Sequence, residues 1–131
     1  MNDAERNKAL VRDSIERVWR DRRLEDLGEL LAADFVDHGA LPGTPPGPAG
    51  FAAGVQQILA TFPDAVSRVD DMIAEGDRVV THWTMSGTHQ PSGKPIRFAG
   101  VTIARICGGK IAEHWSYRDD LGMLRQLGML R

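Results

Sequence analysis

Cysteine is almost absent: the chain of 131 residues has one, Cys107. A single thiol closes no internal disulfide and supplies no four-thiolate zinc site. The fold must therefore rest on a hydrophobic core, which a chain of this length has room to build. Long runs of one charge are missing too. Lys and Arg number 16 against 18 Asp and Glu, a formal charge of −2, and no basic face of the kind that follows phosphates is suggested. Nucleic acid is not an expected partner. The longest stretch free of Asp, Glu, Lys and Arg, from His38 to Pro63, is broken by repeated Pro and Gly, which a membrane-spanning helix would not tolerate. The charged start, Met1 to Arg6, lacks the apolar centre of a signal peptide, and with the lone thiol it sets a cytoplasmic location as the expectation. There is no GxSxG elbow, P-loop or dinucleotide glycine fingerprint. The 4 His, at positions 38, 82, 89 and 114, show neither HxH nor HxxxH spacing, so no metal and no cofactor is expected.

The hydrophobic pattern divides the chain into two halves. Asn2 with Glu5 three residues later has the form of a capping box, and Val11, Ile15, Val18 and Trp19 then recur at helical spacing. Leu24, Leu27, Leu30 and Leu31 suggest a second, shorter helix, followed by a short extended piece from Asp34 to His38. Gly39–Pro48 is a loop by its density of Gly and Pro, of a composition that permits a mobile lid. Phe51, Val55, Ile58, Leu59 and Phe62 mark a third helix, which Pro63 and Asp64 end. From Ala65 the period falls to two, and three turn signals, Glu75-Gly76-Asp77, Gln90-Pro91-Ser92-Gly93 and Cys107-Gly108-Gly109, separate strands over 66–74, 78–89, 96–106 and 110–119. Hairpins of this kind give an antiparallel sheet. Helices first and strands afterwards predict an α+β fold, helices gathered on one face of a strongly curved sheet, with residues 1–131 as a single domain. The interior of such a cone is where a small molecule would sit.

Chemistry-bearing residues are few. In the last strand, alternation puts Ile111, Glu113, Trp115, Tyr117 and Asp119 on one face, with Ala112, His114, Ser116 and Arg118 on the other. If the first, aromatic set lines a pocket, Asp119 is a carboxylate held against Trp115 and Tyr117 and suited to general acid or base work. Asp119 also stands where a tail helix would take its N-cap, and the pattern leaves both readings open. His89, after Gly87, is either turned into the pocket by a bulge or exposed on a hairpin. His38, at the entry to the Pro/Gly loop, has the same two readings, while His82 and His114 read as ordinary strand residues. Trp83 is core or pocket wall. Arg105 is a surface cation or the polar neighbour of a pocket acid, whose charge would oppose the effect of burial.

Phe35-Val36-Asp37-His38 before a Pro/Gly loop, Phe62-Pro63-Asp64, Gly76-Asp77-Arg78-Val79, Gly87-Thr88-His89, Arg105 followed by Gly109-Lys110-Ile111, Glu113-His114-Trp115, Asp119-Asp120-Leu121-Gly122 and Gln126-Leu127-Gly128 span nearly the whole chain. Together they resemble the SnoaL-like polyketide cyclases of the nuclear transport factor two-like superfamily. The resemblance implies a cone-shaped α+β barrel and a pocket Asp on the last strand that moves the proton in an intramolecular aldol closure. That role falls on Asp119, with Arg105 or a near neighbour as the polar pocket residue. The function so implied is cofactor-independent cyclase chemistry, or related lyase or isomerase chemistry, on an apolar carbonyl compound. His38 and His89 would orient oxygens, and Phe35, Phe51, Trp83, Trp115 and Tyr117 would exclude water. The alternative is a binding protein that holds a hydrophobic metabolite in the same cavity without chemistry. Similar epoxide hydrolases carry an Asp two residues after the Arg, where this chain has Cys107, so that activity is not expected. Apolar residues on both parities of Val79–Met85 suggest a homodimer or larger homo-oligomer.

Overall fold

The Asn2 side chain accepts the Glu5 amide at 2.9 Å and opens helix α1, Asp3–Ile15. The structure, a computed structural model, describes residues 1–130. A π turn over Glu16–Arg20 extends α1, and a 3-10 turn over Leu24–Asp26 leads into the single turn of α2, Leu27–Leu30. Leu31 already belongs to strand β1, Leu31–Asp37, so the leucine spacing that suggested one helix spans a helix-to-strand junction. The Pro/Gly loop follows and folds back on α3, Gly47–Thr61. A Cβ on Gly50 would lie 1.7 Å from the Pro45 carbonyl oxygen, so only glycine lets the loop backbone rest on the helix there.

Strands β2 (Val66–Glu75), β3 (Arg78–His89), β4 (Lys94–Cys107) and β5 (Lys110–Arg118) pair antiparallel in sequence, as their turn signals require, and α4, Asp120–Gln126, closes the described chain. The sheet order is β1-β5-β4-β3-β2, and β1 runs parallel to β5. The sheet is therefore mixed, not wholly antiparallel. A parallel neighbour needs a long crossover, and the loop with α3 and the later strands supplies it.

The helices lie on one face of the sheet. Val11, Val18, Leu27, Leu31, Phe35, Val55, Val79, Ala104, Ile106 and Ile111 form the main core, and Phe62, Ala65, Met85, Ile96 and Phe98 form a second cluster at the far end of the strands. Full burial of one such side chain stabilises by about 1.5–3 kcal/mol. This helix-covered surface is the inner face. Register breaks between Val69 and Asp71 and between Arg105 and Ile106 mark bulges, which bend a sheet and re-aim side chains. No helix among the described residues is long and apolar enough to cross a membrane.

Candidate active site

The bulge between β4 and β5 decides which residues face inward. Ile111 pairs with Ile106 and Glu113 with Arg105, so β5 carries one extra residue, Ala112. Ile111 and Ala112 are both buried. Beyond the bulge the inner positions are His114, which pairs with the core residue Ala104, and Ser116, which pairs with Thr102. Glu113, Trp115 and Tyr117 stand on the outer face. Residues 113–117 alternate as expected but with the faces exchanged, because the extra residue breaks the period of two that would put Ile111 and Glu113 on one face.

On the inner face, His114 packs against two phenyl rings that also meet each other, Phe35 and Phe51 at 5.8 Å. Phe35 meets its ring edge-on at 5.0 Å and Phe51 at 5.4 Å. Its Nε2 pairs with Asp37 Oδ1 at 3.1 Å. Burial works against the Asp37 charge, but the hydrogen bond and charge of His114, with the Gly39 amide at 2.9 Å, outweigh it and hold the carboxyl below its ordinary range. With Nε2 directed at Asp37, Nδ1 is the ring nitrogen left to accept a proton. An imidazole oriented by a carboxylate in apolar surroundings has the form of a general base.

Next to this pair runs a polar row. Trp83 Nε1 donates to Thr102 Oγ1 at 2.9 Å, and Thr102 Oγ1 lies 2.9 Å from Ser116 Oγ. Trp83 packs against Gly100, where a Cβ would come 2.3 Å from the indole. Thr81, opposite Thr102 on β3, is 1% exposed, and its hydroxyl has no partner among the described residues.

The outer face repeats the acid–imidazole motif in different surroundings. His38 Nε2 lies 2.6 Å from Glu113 Oε2, and Arg105 Nε donates to Glu113 Oε1 at 2.5 Å. These bonds, His38 first, keep the Glu113 carboxyl below its usual range. His38 stacks on Trp115 at 4.5 Å, and Arg78 sits over the same indole at 5.0 Å. This cluster clamps the end of β1 to β5, and its side chains are ion-paired or stacked.

The residues expected from sequence thus separate into three groups. Phe35 and Phe51 meet on the inner face, and Trp83 lies on the same face in the other cluster, against Phe98. His38, Arg105, Trp115 and Tyr117 are on the outer face, and Tyr117 is 64% exposed. Asp119 and His89 join neither group. Asp119 is exposed and its carboxylate accepts the Gly122 amide at 2.9 Å, the capping alternative, while His89 pairs with Ser92 across the β3–β4 hairpin at 2.7 Å and packs on Phe62. Asp37, His114, Thr102 and Ser116 were missed. One signal for them was present: Asp37-His38 and Glu113-His114 are two acid–His dipeptides, and Val36 opposite Glu113 and Asp37 opposite His114 set them side by side. Neighbours along each strand point to opposite faces, so each acid finds the other strand's imidazole.

Two surface clefts lie elsewhere. One, of about 380 Å³, is lined by residues including Asp64, Thr88 and Arg97, and the other, of about 320 Å³, lies between α1 with its π turn and β2. Asp64 is already engaged by the Thr88 amide and hydroxyl, and Arg22, in the second cleft, donates to the backbone carbonyls of Trp19, Pro63 and Ala65. Among the described residues no three His, Cys, Asp or Glu are gathered as a metal set would be.

Comparison with known proteins identifies the family. The family model described as SnoaL-like polyketide cyclase matches residues 9–127. The chain belongs to that family. Nogalonic acid methyl ester cyclase of Streptomyces nogalater is 34% identical over 81% of this chain and 86% of its own length. Aklanonic acid methyl ester cyclase DnrD of Streptomyces peucetius is 31% identical, with 91% and 88% covered. Among solved structures, TsrD from Streptomyces laurentii superposes with a TM-score of 0.88 at 26% identity, covering 99% of this chain and 100% of that one. IdmH from Streptomyces antibioticus gives 0.78 at 32% identity, covering 97% and 99%. The SnoaL-like fold accounts for the four helices on a five-stranded mixed sheet.

Proposed function

We propose that this SnoaL-like protein is a cofactor-independent aldol-type cyclase acting on an apolar small molecule with at least two carbonyl groups, and that His114, oriented by Asp37, moves the proton. The observation that carries this reading is the His114–Asp37 pair on the inner face, with the His114 ring packed against Phe35 and Phe51. In the first step the bond between an α-carbon and its hydrogen breaks. The proton goes to His114 Nδ1, and the electron pair moves onto the carbonyl oxygen to give an enolate. The enolate carbon then bonds to a second carbonyl carbon of the same molecule, whose π electrons pass to its oxygen. The proton held by His114 returns to that oxygen, so the product is an isomer of the substrate. Phenyl walls keep water from competing and hold the chain folded for closure.

In this reading Asp119 is the cap of α4 and His89 a hairpin residue, both outside the chemistry. The test is incubation with an aromatic keto-ester whose side chain bears a second carbonyl, followed by chromatography with mass detection. Wild type and Asp119→Asn should form a ring-closed isomer of unchanged mass, or its dehydration product, and His114→Gln should not. Tight binding without any closed product across a panel of such compounds would favour the metabolite-binding alternative.

The outer face supports self-association. Ile73, 63% exposed, and Tyr117 stand with Val80, Ile103 and Trp115 on a strip flanked by Arg78, Arg105 and Glu113. Mixed charges around an apolar strip suit a second copy of the same surface. Sedimentation of Tyr117→Arg against wild type checks it: a wild-type homodimer that the substitution dissociates is expected, and a wild-type monomer rules it out.

A further inference from the structure

Two unspent hydroxyl protons lie on the inner face beside His114. Thr102 and Ser116 hold two O–H groups between them, and their mutual contact uses only one of the two protons. The Trp83 indole takes an acceptor site on Thr102 and supplies no relief for the remaining proton. One donor is therefore left over in this half-buried pair, whichever of the two hydroxyls carries it. Thr81 adds a second. Its hydroxyl is the buried side-chain polar atom without a partner among the described residues, and it stands directly across from Thr102 in the β3–β4 register. A buried hydroxyl without a partner is a rare feature that calls for an occupant. The three side chains form a row across β3, β4 and β5 on the face that carries His114, two residues before Ser116 on the same strand.

We propose that Thr102 and Ser116, with Thr81 as the inner member of the row, form a donor site for a carbonyl oxygen of the bound small molecule. The proposal deepens the cyclase reading and rests on it for the location of the ligand. Unspent donors require an acceptor, so the site selects a ketone or enolate oxygen and gives nothing to a hydrocarbon of the same shape. No Lys or Arg belongs to the row, so it is not built for a phosphate or a carboxylate. Next to His114, the same donor would receive the negative charge that builds on oxygen as the α-proton leaves. Ser116 and Thr102 are on this account specificity-determining residues for the carbonyl.

The test uses two probes that differ in one acceptor, 1-acetylnaphthalene and 1-ethylnaphthalene, titrated into ¹⁵N-labelled protein. Wild type should bind the ketone about tenfold more tightly than the hydrocarbon, the worth of one hydrogen bond in a desolvated site. The ketone should also shift the Trp83 indole N–H signal, which the hydrocarbon should leave nearly unmoved. Thr81→Val and Thr102→Val combined with Ser116→Ala, which removes all three hydroxyls, should abolish the preference while keeping affinity for 1-ethylnaphthalene, which shows that the variant is folded. Ser116→Ala alone should retain part of the preference, because the Thr102 proton is then freed. Equal wild-type affinities for the two probes, or a preference that survives the triple substitution, would overturn the donor site. A preference that stands while His114→Gln still forms a closed product would instead overturn the role of His114 and leave the donor site in place.

Discussion

The two acid–imidazole pairs at the β1–β5 edge are chemically alike and differ in what surrounds them. Asp37–His114 lies on the inner face against Phe35 and Phe51, with no cation beside it in the set of contacts that hold it. His38–Glu113 lies on the outer face, where Arg105 also bonds Glu113, and His38 stacks on Trp115. Sharing Glu113 with a guanidinium fixes its charge and makes that pair a clamp. Each imidazole bonds its acid through Nε2 and has Nδ1 in no hydrogen bond among the described residues, and only that of His114 stands on the inner, helix-covered face. The function of such a pair is set by its neighbours and its face of the sheet, and the residue types alone do not reveal it.

Substitutions that treat the two pairs alike should have unlike effects. His114→Gln should cut the rate of proton removal by about 100- to 10,000-fold, the usual contribution of a positioned general base, with the circular dichroism spectrum unchanged. Asp37→Asn should give a smaller loss in the same assay, since the imidazole remains but its orientation does not. Glu113→Gln should leave catalysis near wild type and lower the melting temperature, because His38 and Arg105 lose their common partner. Equal loss of activity from Glu113→Gln and His114→Gln would erase the distinction between clamp and base.

The walls can be broken as well. Phe35 is 2% exposed, and Phe35→Ala should cost about 3–5 kcal/mol in urea unfolding, as for other buried aromatic truncations. Acidification should weaken both pairs. The Asp37 and Glu113 carboxyls sit below their ordinary range when folded, so their contribution is complete above the unfolded carboxylate pKa of about 4 and is lost as pH falls through the lower folded values. Asp37→Asn and Glu113→Gln should each flatten the acid side of a stability–pH profile measured by thermal melting. The smallest effect expected is that of Asp119→Ala, about 1 kcal/mol for a lost helix cap, with proton-transfer activity retained.

Much of the fold was legible because turn signals separate β2 to β5 and α1 and α3 each carry a periodic apolar face, whereas the junction of α2 with β1 has neither. Gly76, Gly93, Gly108 and Gly109 adopt positive φ at the three hairpins, as their positions implied. Two things were not legible, for physical reasons. The parallel seat of β1 is a long-range pairing with no local signature, so the hairpins suggested an antiparallel sheet throughout. The bulge at Ala112 adds one residue to β5, and one residue is enough to exchange the two faces of everything after it. That exchange moved Trp115 and Tyr117 outward and His114 and Ser116 inward. Asp119 was visible to sequence reasoning both as a pocket acid and as a cap, and its bond to the Gly122 amide realises the cap.

The most direct measurement of the central claim is deuterium uptake from heavy water into the methyl group of 1-acetylnaphthalene, followed by proton NMR with wild type, His114→Gln, Glu113→Gln and Asp119→Asn. The account predicts accelerated exchange with wild type, Glu113→Gln and Asp119→Asn, and only background exchange with His114→Gln. Exchange that persists in folded His114→Gln but disappears in Asp119→Asn would contradict it and return the acid–base role to the end of the last strand.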